Sequence, residues 1–184
     1  PSFSFTSLYN SNDFNETRDA HYLRLFAEIG GLTRGLYRDA LYKATKLNVY
    51  DFARFSADYR RYYHLSPQTY FVWRLNGGVV HALTRTDDPA TPIDDTQFIV
   101  PYDKSFFAGG STSLRAWQPR RLGPGGYTPV RSNGGQQVRD FLTEQPGELL
   151  LEGNVEYRFP LYSFIKGAVF TDFGNVWGLQ ERKD

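Results

Sequence analysis

Hydrophobic and polar side chains alternate with a period of two along several stretches of this chain. The longest stretch covers residues 46–62, and residues 20–29 and 148–159 repeat the pattern. In residues 46–62 the apolar register holds Leu47, Val49, Ala53, Phe55, Ala57 and Tyr59, and the polar register holds Lys46, Asn48, Arg54, Ser56, Asp58 and Arg60. Such alternation is typical of β-strands with one apolar and one polar face. Together with residues 1–9, 69–83 and 164–177, it predicts six strands and no helix.

The connections between the predicted strands alternate between short and long. Residues 10–17, 65–68 and 160–163 form turns, whereas residues 30–44 and 84–147 form longer loops. Tight turns at one rim and long loops at the other are typical of an outer-membrane barrel, whose strands alternate apolar-out and polar-in. Aromatic side chains near the predicted strand ends fit the interfacial girdle of such a barrel: Tyr59, Tyr62, Tyr63, Tyr157, Phe159 and Trp177. The pattern therefore favours an all-β fold, a transmembrane antiparallel β-barrel.

A soluble β-sandwich or a lipocalin-like barrel is the main alternative, because its strands alternate as well. The loop over residues 84–147 is unusually long for a compact soluble domain. Charged residues also recur on one face of the strands, as a water-filled lumen permits: Arg24, Glu28, Arg54, Asp58, Arg60, Glu152, Glu156 and Arg158. Both features favour the membrane barrel.

The amino-acid composition of the chain argues against several kinds of binding and catalytic site. The chain has 21 Lys and Arg against 20 Asp and Glu, without a basic run, so nothing points to a nucleic-acid partner. It has no Cys, and its three His are scattered, which excludes disulfides and argues against a metal site. No apolar run approaches the ~18 residues of a membrane helix. No catalytic constellation is recognisable, so we expect neither an enzyme nor a cofactor.

Two motifs in order carry a family resemblance. The run FFAGGSTSLRAWQPRRLGPG, residues 106–125, is followed by GELLLEGNVEYRFPLYSFIKGAVFTDFGNVW, residues 147–177. These segments resemble the carboxy-terminal barrel of the BamA and TamA superfamily of outer-membrane assembly and translocation proteins. That family has a long loop with a V/L/I-R-G-F/Y signature, which folds back into the lumen, and a later strand with F/G-x-D-x-G. The corresponding residues are Leu114-Arg115-Ala116-Trp117 and Phe170-Thr171-Asp172-Phe173-Gly174.

The resemblance implies that the loop over residues 84–147 is a lid held inside the barrel through Arg115. A guanidinium removed from water needs an acidic partner, and Asp172 and Glu156 lie on inward registers of the last two predicted strands. The family resemblance implies the same contacts, with Phe170 on the same face. We expect the lid to bend at Gly109, Gly110, Gly123, Pro124 and Gly125. Gly174 would leave room for Arg115 beside Asp172.

The resemblance also implies a location and a function. It indicates a bacterial outer-membrane barrel of about 16 strands, which inserts or translocates other proteins without catalysis. We expect residues 1–184 to be part of this barrel, with POTRA domains and the closing strands elsewhere in a longer protein. Lipids, client proteins and accessory periplasmic or lipoprotein subunits would be its partners. Ala116 and Trp117 depart from the commonest signature, and this variant is similar to the TamA-like (TamL) branch of the Bacteroidota.

Two further functional classes stay open. A two-partner secretion pore shares the lid motif and would export one dedicated exoprotein. A passive porin or a soluble β-domain would have no assembly function. Outer-membrane lipids would be a partner of the membrane barrels but not of a soluble β-domain.

Overall fold

The computed structural model describes residues 2–12, 18–45, 50–87, 96–126, 130–133, 136–139 and 143–179. The long strands are β1 (Ser2–Asn10), β2 (Ala20–Gly30), β3 (Phe52–Ser66), β4 (Thr69–Ala82), β9 (Leu149–Tyr162) and β10 (Ile165–Trp177). Helix α1 (Arg34–Thr45) lies between β2 and β3. The long connection after β4 contains β5 (Thr86–Asp87), β6 (Thr96–Gln97), a short 3-10 helix (Tyr102–Lys104), β7 (Val130–Asn133) and β8 (Gln136–Arg139).

The six long strands form one sheet in the order β1-β2-β3-β4-β9-β10. All neighbours in this sheet pair antiparallel, so the predicted all-β, up-and-down architecture is confirmed. Turns at residues 67–68 and 163–164 close one rim, the turn rim. The connections after β2 and β4 lie at the opposite rim, the loop rim.

The two faces of the sheet differ in polarity, as the alternation predicts. One face, the inner face, carries cross-strand rows such as Arg24–Asp58–Asn76–Glu152 and Tyr22–Arg60–Arg74–Asn154–Asp172. The opposite, outer face carries large apolar side chains that are exposed to the surroundings, among them Phe3, Phe5, Phe55, Leu75, Leu151, Tyr157, Val169 and Phe173. An apolar face of this extent would be unfavourable in water, and it fits contact with lipid.

The hydrophobic core lies on the inner face, near the loop rim. There the long connection returns over the sheet, and we call its residues 100–126 the folded-back segment. Phe106, Ala108 and Leu114 from this segment pack against sheet residues Phe52, Val80, Leu150 and Val176. The inner face is therefore apolar where the segment covers it and polar closer to the turn rim.

Helix α1 is the main error of the sequence prediction, which assigned residues 30–44 to an open loop. Leu32, just before the helix, and Leu36, in its first turn, are 59% and 88% exposed. A tertiary contact joins the start of the helix to the residue before β3: Arg34 Nη1 lies 3.0 Å from Asp51 Oδ1. Asp51 Oδ1 also accepts a 2.7 Å hydrogen bond from the Thr84 hydroxyl, which joins the two loop-rim connections.

Several predicted boundaries also shift. The strand predicted from residue 46 begins at Phe52 and continues to Ser66, while residues 46–49 lie outside the described part of the chain. Pro160 lies inside β9, where the prediction had a turn. The predicted Tyr62 contribution to an outer girdle is wrong, because Tyr62 shares the inner-face register with Arg60. A helix search adds one finding: none of the described helices is long and apolar enough to cross a membrane.

Candidate functional site

Arg115 lies in a tight turn of the folded-back segment, above the inner face of β9 and β10. The turn is closed by two backbone hydrogen bonds, from Ser113 N to Gly110 O at 3.1 Å and from Trp117 N to Leu114 O at 3.1 Å. Leu114 is 3% exposed and belongs to the core cluster. Burial of Leu114 therefore fixes the backbone from which the neighbouring arginine side chain leaves.

The Arg115 guanidinium binds two carboxylates on neighbouring strands. Its Nε and Nη2 donate to the two oxygens of Asp172 at 2.8 Å and 2.7 Å, and its Nη1 donates to Glu156 Oε2 at 3.1 Å. The Arg115 backbone N–H also donates to Asp172, at 3.0 Å. A planar fork can make this bidentate pairing, whereas the point charge of a lysine cannot.

Phe170 completes the contact from below. The Arg115 guanidinium carbon lies 3.4 Å from the centre of the Phe170 ring, so the cation stacks on the aromatic face. Hydrogen bonding to Asp172, followed by that to Glu156, raises the pKa of Arg115 above its already high ordinary value. Arg115 is consequently a permanent cation in this setting. The structure thus brings together Leu114, Arg115, Phe170, Asp172 and Glu156.

Further polar residues, which the sequence prediction did not select, surround this contact. Asn154 Nδ2 donates to Asp172 Oδ1 at 2.8 Å and to the Ser113 carbonyl at 2.9 Å. Arg74 Nη1 donates to the Thr112 carbonyl at 2.9 Å and to Asn154 Oδ1 at 3.3 Å. These residues hold the backbone just before Arg115. Arg74, Asn154 and Asp172 are paired directly across three neighbouring strands. This row could have identified Arg74 and Asn154 as site residues, but it is visible only when the register of the strands is known.

The network continues across the sheet beyond Arg74. Arg74 Nε and Nη2 donate to the two oxygens of Asp58 at 3.0 Å and 2.9 Å, and Arg60 binds the same carboxylate. Buried Glu152, which is 2% exposed, accepts from Asn76 Nδ2 at 2.9 Å and from the Ser113 hydroxyl. Charges on four strands are therefore mutually paired, as a partly dehydrated lumen requires.

A second attachment joins the folded-back segment to the other side of the sheet. Lys104 Nζ lies 2.9 Å from Glu28 Oε1 on β2, whose carboxylate side chain is 6% exposed. Phe106 lies over β4 where Gly78 has no side chain: a Cβ there would come within 2.6 Å of Phe106 Cε1. The Arg54 guanidinium covers the Phe106 ring at 4.5 Å from its centre. No sequence motif marked this attachment.

The predicted bend residues lie in the folded-back segment. Gly109, Gly110, Gly123 and Gly125 have φ values of 102°, 104°, 100° and 58°, a region that side chains disfavour. The bond between Gly123 and Pro124 is cis. Gly123 lies directly against Val176, which leaves no room for a Cβ at that position.

Three predicted site residues lie apart from the expected contact. Ala116 and Trp117 are exposed, Trp117 by 43%. A Cβ at Gly174 would meet backbone atoms of the adjacent strand, with Glu152 Cα at 2.8 Å. Close approach of β9 and β10 thus explains this glycine better than accommodation of Arg115 does. Among the described residues no group of three or more acidic or histidine side chains could hold a metal ion.

Comparison with known proteins agrees with this architecture. The Omp85 superfamily domain matches residues 3–184, which is nearly the whole chain. No curated protein matches it. The family match is consistent with the six-stranded antiparallel sheet and with its exposed apolar outer face. The chain therefore belongs to the Omp85 superfamily and contributes strands to an outer-membrane β-barrel.

Proposed function

We propose that this chain is part of a bacterial outer-membrane barrel that inserts or translocates client proteins, and that the folded-back segment acts as its lid. Membership in the Omp85 superfamily supports insertion or translocation as the general activity. The contact of Arg115 with Asp172 and Glu156 is the single observation that carries the lid assignment. The barrel would catalyse no chemical reaction and would act by holding and releasing client strands. Accessory periplasmic or lipoprotein subunits would act with it.

The lid would act as a brace on the lumenal wall. It is held on β10 and β9 through Arg115 and on β2 through Lys104, so it connects strands at both sides of the sheet. While a barrel admits a client strand, the strands that are not involved must keep their register. A lid bound to several of them would serve that purpose.

The finer family branch belongs to the same proposal. The Ala116-Trp117 pair after the arginine supports a TamA-like (TamL) member of the Bacteroidota. We further propose that residues 1–184 are a portion of a longer barrel that also has POTRA domains.

The test uses the full-length protein that contains this chain, reconstituted in liposomes. Arg115→Lys keeps the charge and removes the fork, so at least one hydrogen bond to a carboxylate is lost, at a cost of about 1.5–3 kcal/mol. We expect slower insertion of an unfolded outer-membrane client, measured by its heat-modifiable mobility in gels. Arg120→Lys is the matched control, because Arg120 lies in the same segment but is 53% exposed in its pair with Glu144. Equal insertion by the parent and both variants would refute the lid role.

A second arm separates assembly from dedicated secretion. Depletion of the protein in cells should lower the amounts of many outer-membrane or surface proteins, which quantitative proteomics of the membrane fraction measures. Loss of one exoprotein with an otherwise unchanged membrane proteome would instead indicate a two-partner secretion pore. Free passage of small solutes with no effect on either class would indicate a porin.

A further inference from the structure

The folded-back segment is bonded to the edge of β10 that faces away from β9, which we call the far edge. The Gly125 N–H donates to the Val176 carbonyl at 2.6 Å. Successive residues of a strand direct their backbone groups to opposite sides within the sheet. The Trp177 carbonyl accepts from the Glu148 N–H at 2.8 Å, on the β9 side, so the backbone groups of Val176 point to the far edge. The segment thus binds β10 at a position that a neighbouring strand would use.

Asn175 completes this contact with both groups of its side-chain amide. Its Nδ2 donates to the Gly125 carbonyl at 2.7 Å, and its Oδ1 accepts from the Val176 N–H at 2.8 Å. Asn175 shares the lipid-facing register of Phe173. An amide without partners would be unfavourable there, because lipid offers no hydrogen bonds. The two hydrogen bonds therefore account for a polar residue at this position.

The backbone around Gly123 lies close against the same edge. A Cβ at Gly123 would be 3.0 Å from Asn175 Oδ1 and 3.2 Å from the Val176 carbonyl oxygen. Gly123 and Gly125 have positive φ values, which let the chain approach β10 in this way. Neighbouring strands in a sheet lie about 4.7–4.9 Å apart. At Val176 the backbone of residues 123–125 takes the place of such a strand.

We propose that Asn175 and Gly125 end strand pairing on the far edge of β10 at the turn-rim side of Val176. In a closed barrel each strand has a neighbour on both edges, so another strand pairs with the far edge along the rest of β10. At Val176 the carbonyl is used by Gly125 and the N–H is used by Asn175. Asn175 is thus a positioning residue, which acts through the backbone of Val176 and Gly125.

This arrangement couples the folded-back segment to the adjoining part of the wall, a consequence that rests on the proposed lid function. Docking of the lid and pairing of a strand compete for the Val176 carbonyl. Extension of the neighbouring pairing to Val176 would displace Gly125, and a docked lid would prevent that extension. A rearrangement of the wall beside β10 would therefore release the returning half of the lid.

The experiment uses the full-length protein in detergent, without a client, and has two readouts. Hydrogen exchange of the Val176 amide is measured by mass spectrometry with fragmentation to single residues, and trypsin cleavage after Arg120 and Arg121 reports release of the segment. Asn175→Ala removes both side-chain bonds, so we expect Val176 exchange and cleavage each to rise about fivefold or more, as for one lost hydrogen bond. Asn175→Asp keeps an acceptor for Val176 and loses the donor to Gly125, so we expect faster cleavage with unchanged Val176 exchange.

Thr171→Ala is the matched control, because Thr171 is an exposed residue on the same register of the same strand. It should leave both rates at the parent values, and rates equal to those of Asn175→Ala would indicate general loosening of β10 and overturn the proposal. Slow Val176 exchange in Asn175→Ala would show that a strand pairs there, which also overturns it. If Asn175→Ala does not fold, Asn175→Asp decides alone, and an unchanged cleavage rate is then the contrary result. Failure of the lid function itself would appear separately, as normal client insertion by Arg115→Lys.

Discussion

Phe106 of the folded-back segment packs directly on Gly78 of β4, and a prediction follows from this contact. Gly78→Ala introduces a Cβ that would lie 2.6 Å from Phe106 Cε1 and 3.1 Å from Ser56 Cβ. Both separations are shorter than van der Waals contact, so the ring must move or leave. Overpacking of this kind costs about 1–3 kcal/mol. The matched control is Gly77→Ala, whose Cβ would have Leu150 O at 3.6 Å and Leu151 Cδ1 at 3.8 Å, which are ordinary contacts.

The two variants have the same composition, and both lose the same glycine freedom in the unfolded chain, so that contribution cancels between them. A penalty of about 2 kcal/mol on docking corresponds to an increase of about 30-fold in the undocked population. Trypsin cleavage after Arg120 and Arg121 in the folded full-length protein measures this population, provided that opening and closing are fast relative to cleavage. We expect faster cleavage in Gly78→Ala and no change in Gly77→Ala. Cleavage rates within twofold of each other, in proteins with equal heat-modifiability, would refute the role of Gly78 as the seat of Phe106.

Two further predictions concern the polar attachments. Asn154→Asp replaces the amide that donates to Asp172 and to the Ser113 carbonyl with a third carboxylate in the Arg115 site. We therefore expect a lower thermal midpoint of lid docking than in the parent, measured by proteolysis at increasing temperature. An unchanged midpoint would contradict the role of Asn154. A double-mutant cycle tests the 2.9 Å ion pair between Lys104 and Glu28, with Lys104→Met, Glu28→Met and the double variant. We expect a coupling free energy of about 0.5–3 kcal/mol in urea unfolding. Additive effects of the two substitutions would show that the pair does not contribute to docking.

The strands could be predicted from the sequence because period-two alternation is a local rule, whereas the Arg115 contact was implied by the resemblance of two motifs to the BamA and TamA superfamily. Period-two alternation identifies strands and their inner registers, and the inner registers place Asp172 and Glu156 where a buried arginine could reach them. The helix over Arg34–Thr45 could not be predicted in this way. Its signal was the helical spacing of Tyr37, Leu41 and Ala44, which a search for period-two alternation does not detect.

The remaining site residues depend on non-local pairing. Arg74 and Asn154 become neighbours of Asp172 only after the register of β4, β9 and β10 is known. The seat of Phe106 at Gly78 joins positions far apart along the chain, and an isolated glycine in a strand has many possible causes. Gly174 illustrates the same difficulty, since its small size serves the approach of two strands.

The two attachments of the folded-back segment have a mechanical consequence. Glu28 is on β2 and Asp172 is on β10, and β3, β4 and β9 lie between them in the sheet. The covalent segment from Lys104 to Arg115 spans this distance over the inner face, and between its ends Phe106, Ala108 and Leu114 pack against β3, β4, β9 and β10. A change in the spacing of these strands would have to break an ion pair at one end of the segment or the apolar contacts between the two ends. One short segment therefore couples five strands, so that a displacement of β2 is resisted by contacts as far away as β10.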